Sequence, residues 1–194
     1  VVNGSSKTIQ LSGNVRAQSI TIGADDILDV STTNYDIYNY GDFINNNTFV
    51  ARSGEVIFDA TTTNRTITAG SDAFYDLTFS GAGGSWSFTE ADLAVNNDFR
   101  VATGTVTMPT GTTTLAGSFS SVGGVFAHNN ATILFNASSA KTISASGTPF
   151  TNAFYNMTFT GSGSWSFLDT SATTSNDMLI TQGTVTFPSA NLSV

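Results

Sequence analysis

The chain has 194 residues, of which 40% are apolar and only 10% charged, with 14 acids against 6 bases and a formal charge of −8 at pH 7. A charged fraction far below the roughly 25% of ordinary globular proteins leaves solubility to hydroxyls and amides, and the acidic balance excludes an electrostatic footprint for nucleic acid or an anionic membrane surface. The absence of cysteine excludes disulfides, thiolate metal sites and a cysteine nucleophile, while a single histidine, His128, excludes a His-pair metal centre.

Residues 1–40 open with two short strand patterns, Lys7-Thr8-Ile9 and Ser19-Ile20-Thr21-Ile22. They read as the tail of a shortened repeat. From residue 41 the order of motifs becomes regular, and residues 41–116 and 117–194 read as two copies of one repeat at an offset of about 76–80 residues. Gly41-Asp42-Phe43 answers to Gly117-Ser118-Phe119. Gly54-Glu55-Val56-Ile57-Phe58-Asp59 answers to Ala131-Thr132-Ile133-Leu134-Phe135-Asn136, and Arg65-Thr66-Ile67 to Lys141-Thr142-Ile143. Phe74-Tyr75-Asp76-Leu77-Thr78-Phe79 then matches Phe154-Tyr155-Asn156-Met157-Thr158-Phe159, Ser85-Trp86-Ser87-Phe88 matches Ser164-Trp165-Ser166-Phe167, and Gly104-Thr105-Val106-Thr107 matches Gly183-Thr184-Val185-Thr186.

Within each copy apolar residues alternate with Thr, Ser or Asn, which is strand periodicity, and Gly and Asn-Asn clusters supply turns. Apolar centres such as Ile37, Phe58, Phe79, Phe99 and Phe119 recur about every 20 residues. This spacing predicts an all-β fold, a parallel β-helix of about 20-residue rungs running through residues 1–194 as one continuous solenoid, with about four rungs per repeat. Apolar residues should stack inside, with Thr and Asn ladders outside. Tandem β-sandwich modules, one per copy, are the alternative.

Few residues carry chemistry. Asp25, Asp26 and Asp29 form the densest acidic cluster; calcium takes such oxygen ligands, but the spacing matches neither an EF-hand nor a calcium-binding β-roll, and a solvated turn is the plainer reading. No other cofactor is expected. Glu90 and Asp92 near Trp86 could form a glycosidase pair, but the second copy has Asp169 and Thr170 there. Trp86 and Trp165, at equivalent positions, could contact carbohydrate or a partner chain, or cover the core. His128, in a polar run without an acidic or hydroxyl partner, reads as a loop residue. Lys7, Arg65 and Lys141, each before Thr-Ile, read as charges guarding strand edges.

The order Gly41-Asp42-Phe43-Ile44-Asn45-Asn46-Asn47-Thr48-Phe49, then Val56-Ile57-Phe58, Thr66-Ile67 and Phe74-Tyr75-Asp76-Leu77-Thr78-Phe79, resembles repetitive bacterial cell-surface proteins. These carry G-x-F-x-N-N-G-x-F, V-x-F, T-I and F-x-N-L-T-I in series. Asn47 replaces their glycine, and the tryptophan of Ser-Trp-Ser-Phe is a further departure. The resemblance implies an exported parallel β-helix like the filamentous-haemagglutinin-type adhesins, and it implies no site residues. The expected function is therefore a non-enzymatic structural or adhesive segment of an extracellular surface protein, forming a rod, filament or coat. Expected partners are neighbouring repeats, copies of itself and surface polysaccharide, with no nucleic acid and no membrane span in this segment. The alternatives are a carbohydrate-binding or carbohydrate-cleaving β-helix and a phage or virus fibre.

Overall fold

A computed structural model describes residues 6–145 and 154–194. The chain winds as a parallel β-solenoid of about 8 turns of roughly 21 residues, without helices among the described residues. Each strand pairs with the strand one turn on, as Val56↔Leu77 and Leu77↔Phe99 show. Parallel pairing between turns sets aside the β-sandwich alternative, whose sheets are antiparallel.

Three faces follow one another in each turn. Among the described residues the first holds nine strands, from Val15–Ala17 to Thr184–Thr186. The second holds, among the described residues, a run of six from Ile20–Ile22 to Val125–Ala127 and a later pair, residues 171–173 with Asn191–Ser193. The third, among the same residues, is in two pieces: three strands from Thr8–Gln10 to Thr48–Val50, and five from Leu93–Val95 to residues 177–180 of the strand Ser171–Ile180. At the break, Phe74 makes a single bridge to Val95. On its other side the Asp72 carboxylate accepts the Phe49 N–H at 2.6 Å, replacing the missing strand carbonyl.

In-register parallel pairing stacks like upon like at about 4.8 Å. On the first face the inward column runs Ile37, Val56, Leu77, Phe99, Phe119, Ile143 and Phe167. Phenylalanines pair as near-parallel rings: Phe58 with Phe79 at 5.3 Å, Phe99 with Phe119 at 5.5 Å, and Phe135 with Phe159 at 4.9 Å. Each such pair adds about 0.5–1.5 kcal/mol beyond its burial.

Hydroxyls line much of the outside, although Thr113 is buried in an inward column between Leu93 and Ile133. Thr66, Ser87 and Thr107 form one column on the second face, and the Thr68 and Thr89 hydroxyls lie 2.8 Å apart. Two asparagines depart from the outer ladder. Asn39 and Asn45 are buried at corners, where their amides serve the turning backbone. Asn39 donates to the Asp42 carbonyl and accepts the Gly41 N–H, while Asn45 donates to the Ala69 carbonyl and the Asp72 carboxylate and accepts the Asn47 N–H. A side chain that both donates and accepts is what an interior corner needs.

The repeat does not close on a whole number of turns. An offset of about 76–80 residues on turns of roughly 21 is about three and two-thirds turns, rather than four rungs. Corresponding strands therefore step round the solenoid by one face per copy. Arg65–Thr68 lies on the second face, but Ala140–Ser144 on the first. Asp76–Phe79 lies on the first, but residues 156–159 of the strand Phe154–Phe159 on the third. The opening segment fits the same progression, with Thr8–Gln10 on the third face and Ile20–Ile22 on the second.

Candidate functional site

The acids concentrate at the corners, where they serve the backbone. Where the chain bends between faces, an N–H loses its strand partner and needs another acceptor. Asp, Glu, Asn and Ser side chains one turn away fill that role. On the corner entering the first face, Asn14 accepts from Asp36, and Asp36 in turn from Glu55; further along, Asp76 accepts from Asp98, Asp98 from Ser118, and Ser118 from Thr142. Ser19, Asp42 and Thr66 repeat the arrangement entering the second face. Ten of the 14 acids accept a backbone N–H from another of the described residues. The acidic composition thus reflects a demand for acceptors.

The three aspartates near residue 27 have separate roles. Asp25 is exposed, while Asp26 is buried and its Oδ1 accepts the Lys7 N–H at 3.0 Å. Asp29 meets Arg52 in a two-pronged ion pair, Nε to Oδ1 at 2.6 Å and Nη2 to Oδ2 at 2.8 Å. It also accepts from Ser31 N–H and Gln10 Nε2. The hydrogen bonds from Arg52 hold the Asp29 carboxyl down to about 2, against the opposing effect of burial. Among the described residues no group of three or more acidic, histidine or cysteine side chains is placed to hold a metal ion.

Glu90 and Asp92 border an open hollow of about 580 Å³ with Asp72, Gly70, Thr112 and Thr114. Their carboxylates are already engaged: Glu90 Oε1 accepts the Gly70 N–H and Asp92 Oδ1 the Thr112 N–H, both at 2.7 Å. Trp86 lies inside the core at 1% exposure and Trp165 at 0%, so neither offers a ring to a saccharide at the surface. Each indole is seated by a glycine one turn later. A Cβ on Gly104 would lie 2.7 Å from Trp86 Cζ3, and one on Gly183 2.8 Å from Trp165 Cζ3. The two indoles also sit in different sheets, Trp86 on the second face and Trp165 on the first, so they cannot line one groove.

His128 accepts the Asn130 N–H at Nδ1 and stacks on Tyr155 at 5.4 Å. Arg65 reaches Asp42 at 3.8 Å, and Lys141 donates to Asn97 Oδ1 at 3.2 Å, two turns away. Sequence reasoning missed Arg52 as the partner of Asp29, because the pair is 23 residues apart and becomes adjacent only once the turn length is known. It also passed over the tyrosines of Tyr35-Asp36-Ile37-Tyr38-Asn39-Tyr40, whose density is the available signal.

Compared with family models, curated proteins and solved structures, the chain matches none. Its class rests on its own architecture, a β-solenoid built of tandem repeats. Among the described residues no helix is long and apolar enough to cross a membrane.

Proposed function

We propose that this chain is a non-enzymatic structural or adhesive segment of a repetitive extracellular surface protein, a stiff rod that holds or contacts something at a distance. The observation that carries this reading is the use of the acids. A catalytic groove needs carboxylates converging on one reacting position, whereas here most acids cap backbone N–H groups spread along the corners. Stiffness comes from continuous parallel ladders and stacked rings, since bending the rod would open hydrogen bonds on one face. The one-face step per copy distributes repeated motifs around the rod, which suits contact with copies of itself on several sides.

Two measurements test this. Immunogold labelling of cells producing the protein should place it at the outer surface; label confined to the cytoplasm refutes an extracellular role, and label on virions favours a fibre. Electron diffraction of the assembled material should show a spacing of about 4.8 Å along the rod axis. Material that never forms rods at any concentration refutes the filament.

A further inference from the structure

The corner leaving the first face carries a patch that the repeat does not. Over three successive turns, Gln18, Tyr40, Asp59, Thr61 and Thr62 line a hollow of about 310 Å³, the lower end of the size range of small-ligand sites. Arg16 organises it. Its guanidinium carbon lies 4.0 Å from the centre of the Tyr38 ring, and its Nη1 donates to Tyr40 Oη at 2.8 Å. One cation thereby fixes two half-buried aromatic side chains on adjacent positions of the rod. Asp59 Oδ1 accepts from Ser80 Oγ at 3.1 Å, which orients its carboxylate.

In the second copy Thr114, Ala116 and Asn136 stand where the first has Tyr38, Tyr40 and Asp59. The one-face step also carries those counterparts to the third face, so the patch exists once among the described residues. Residues that break a repeat in one place, and gather there in space, are not explained by the packing that repeats.

We propose that this corner binds a neutral oligosaccharide. Tyrosine supplies an apolar ring face with a polar tip, suited to the C–H face of a pyranose. Asp59 accepts from sugar hydroxyls, and Gln18, Thr61 and Thr62 both donate and accept. A carboxylate in the hollow and a chain charge of −8 oppose phosphates and anionic glycans. The proposal rests on the adhesive part of the reading above and gives that adhesion a ligand class.

The 194-residue chain should be applied to an array of neutral cello-, chito-, manno-, xylo- and galacto-oligosaccharides beside sulfated and sialylated ones. Binding to a neutral class is expected. Tyr40→Ala and Asp59→Ala should each weaken it about tenfold or more, the effect of truncating a central contact, while Tyr40→Phe stays within about threefold. Circular dichroism and thermal midpoints establish that each variant is folded; if Tyr40→Ala is not, the half-buried Asp59→Ala carries the test. Binding to no neutral glycan, preference for anionic ones, or binding unchanged in these variants overturns the proposal. A surface-located rod that binds no neutral glycan sinks this inference alone, whereas glycan binding by a chain confined to the cytoplasm sinks the surface reading instead.

Discussion

Gly104→Ala measures how tightly each tryptophan depends on the turn above it. Gly104 has φ of +77°, and a Cβ there would lie 2.7 Å from Trp86 Cζ3 and 2.8 Å from the carbonyls of Gly81 and Gly84. The left-handed backbone alone costs an alanine about 1–2 kcal/mol. Overpacking a filled core adds about 1–3 kcal/mol, for a total loss of about 2–5 kcal/mol out of the 5–15 typical of a folded domain. Gly83 separates the two contributions, because it has φ of +79° but its Cβ would meet nothing closer than Thr61 O at 3.9 Å. Gly83→Ala should therefore lose only the backbone part. In urea, with a slope of about 2–3 kcal/mol per molar, Gly104→Ala should lower the midpoint by about 0.7–2.5 M, read by tryptophan fluorescence. Combining it with Trp86→Phe should recover part of the steric loss. Equal midpoints for Gly83→Ala and Gly104→Ala, or no relief from Trp86→Phe, would refute the glycine-seat argument.

The Asp29–Arg52 pair sets an acid limit: because the folded carboxyl lies near 2, below its ordinary 3.8, its stabilisation is complete above about pH 4 and lost as pH falls toward 2. Urea midpoints across that window should fall for the native chain more steeply than for Asp29→Asn. Arg52→Ala leaves the Asp29 carboxylate short of donors and should lose about 1–3 kcal/mol at neutral pH, seen as a lower midpoint. Asp76 sits directly across from Glu55 on adjacent turns, so Asp76→Asn, which keeps the acceptor for Asp98 N–H and Asn97, should match or exceed native stability, most clearly at low salt. Asp76→Ala should lose about 1 kcal/mol instead. The buried indoles should emit at short wavelength, resist acrylamide and stay unchanged when a saccharide occupies the Tyr40 corner; a sugar-dependent shift would place binding at the tryptophans.

The strands were legible because solenoid pairing needs little more than alternation and a steady spacing. Phe58, Phe79, Phe99 and Phe119 are about one turn apart in sequence and stack in the core. The acids were harder to interpret. Glu90 and Asp92 are two residues apart, which invites a catalytic pair, but each has its partner about 20 residues away, at Gly70 and Thr112. Asn39 and Asn45 look like outward ladder residues by type, but each follows an inward residue, Ile37 or Phe43, at a spacing of two, and lies at a corner where an inward amide finds backbone partners.

By itself, the sequence determined that the protein is all-β, repetitive, dependent on hydroxyls for solubility and without the residues for disulfide or His-pair chemistry. Those properties follow from residue type and one-dimensional spacing. Only the tertiary structure decided which face each motif occupies. The repeat holds about three and two-thirds turns, and that remainder sends Trp86 and Trp165 into different sheets, while the turn length of roughly 21 residues gathers Arg16, Tyr38, Tyr40 and Asp59 on one corner. The physical reason is that the repeat length and the turn length are set independently, one along the chain and the other by how many residues enclose a packed core.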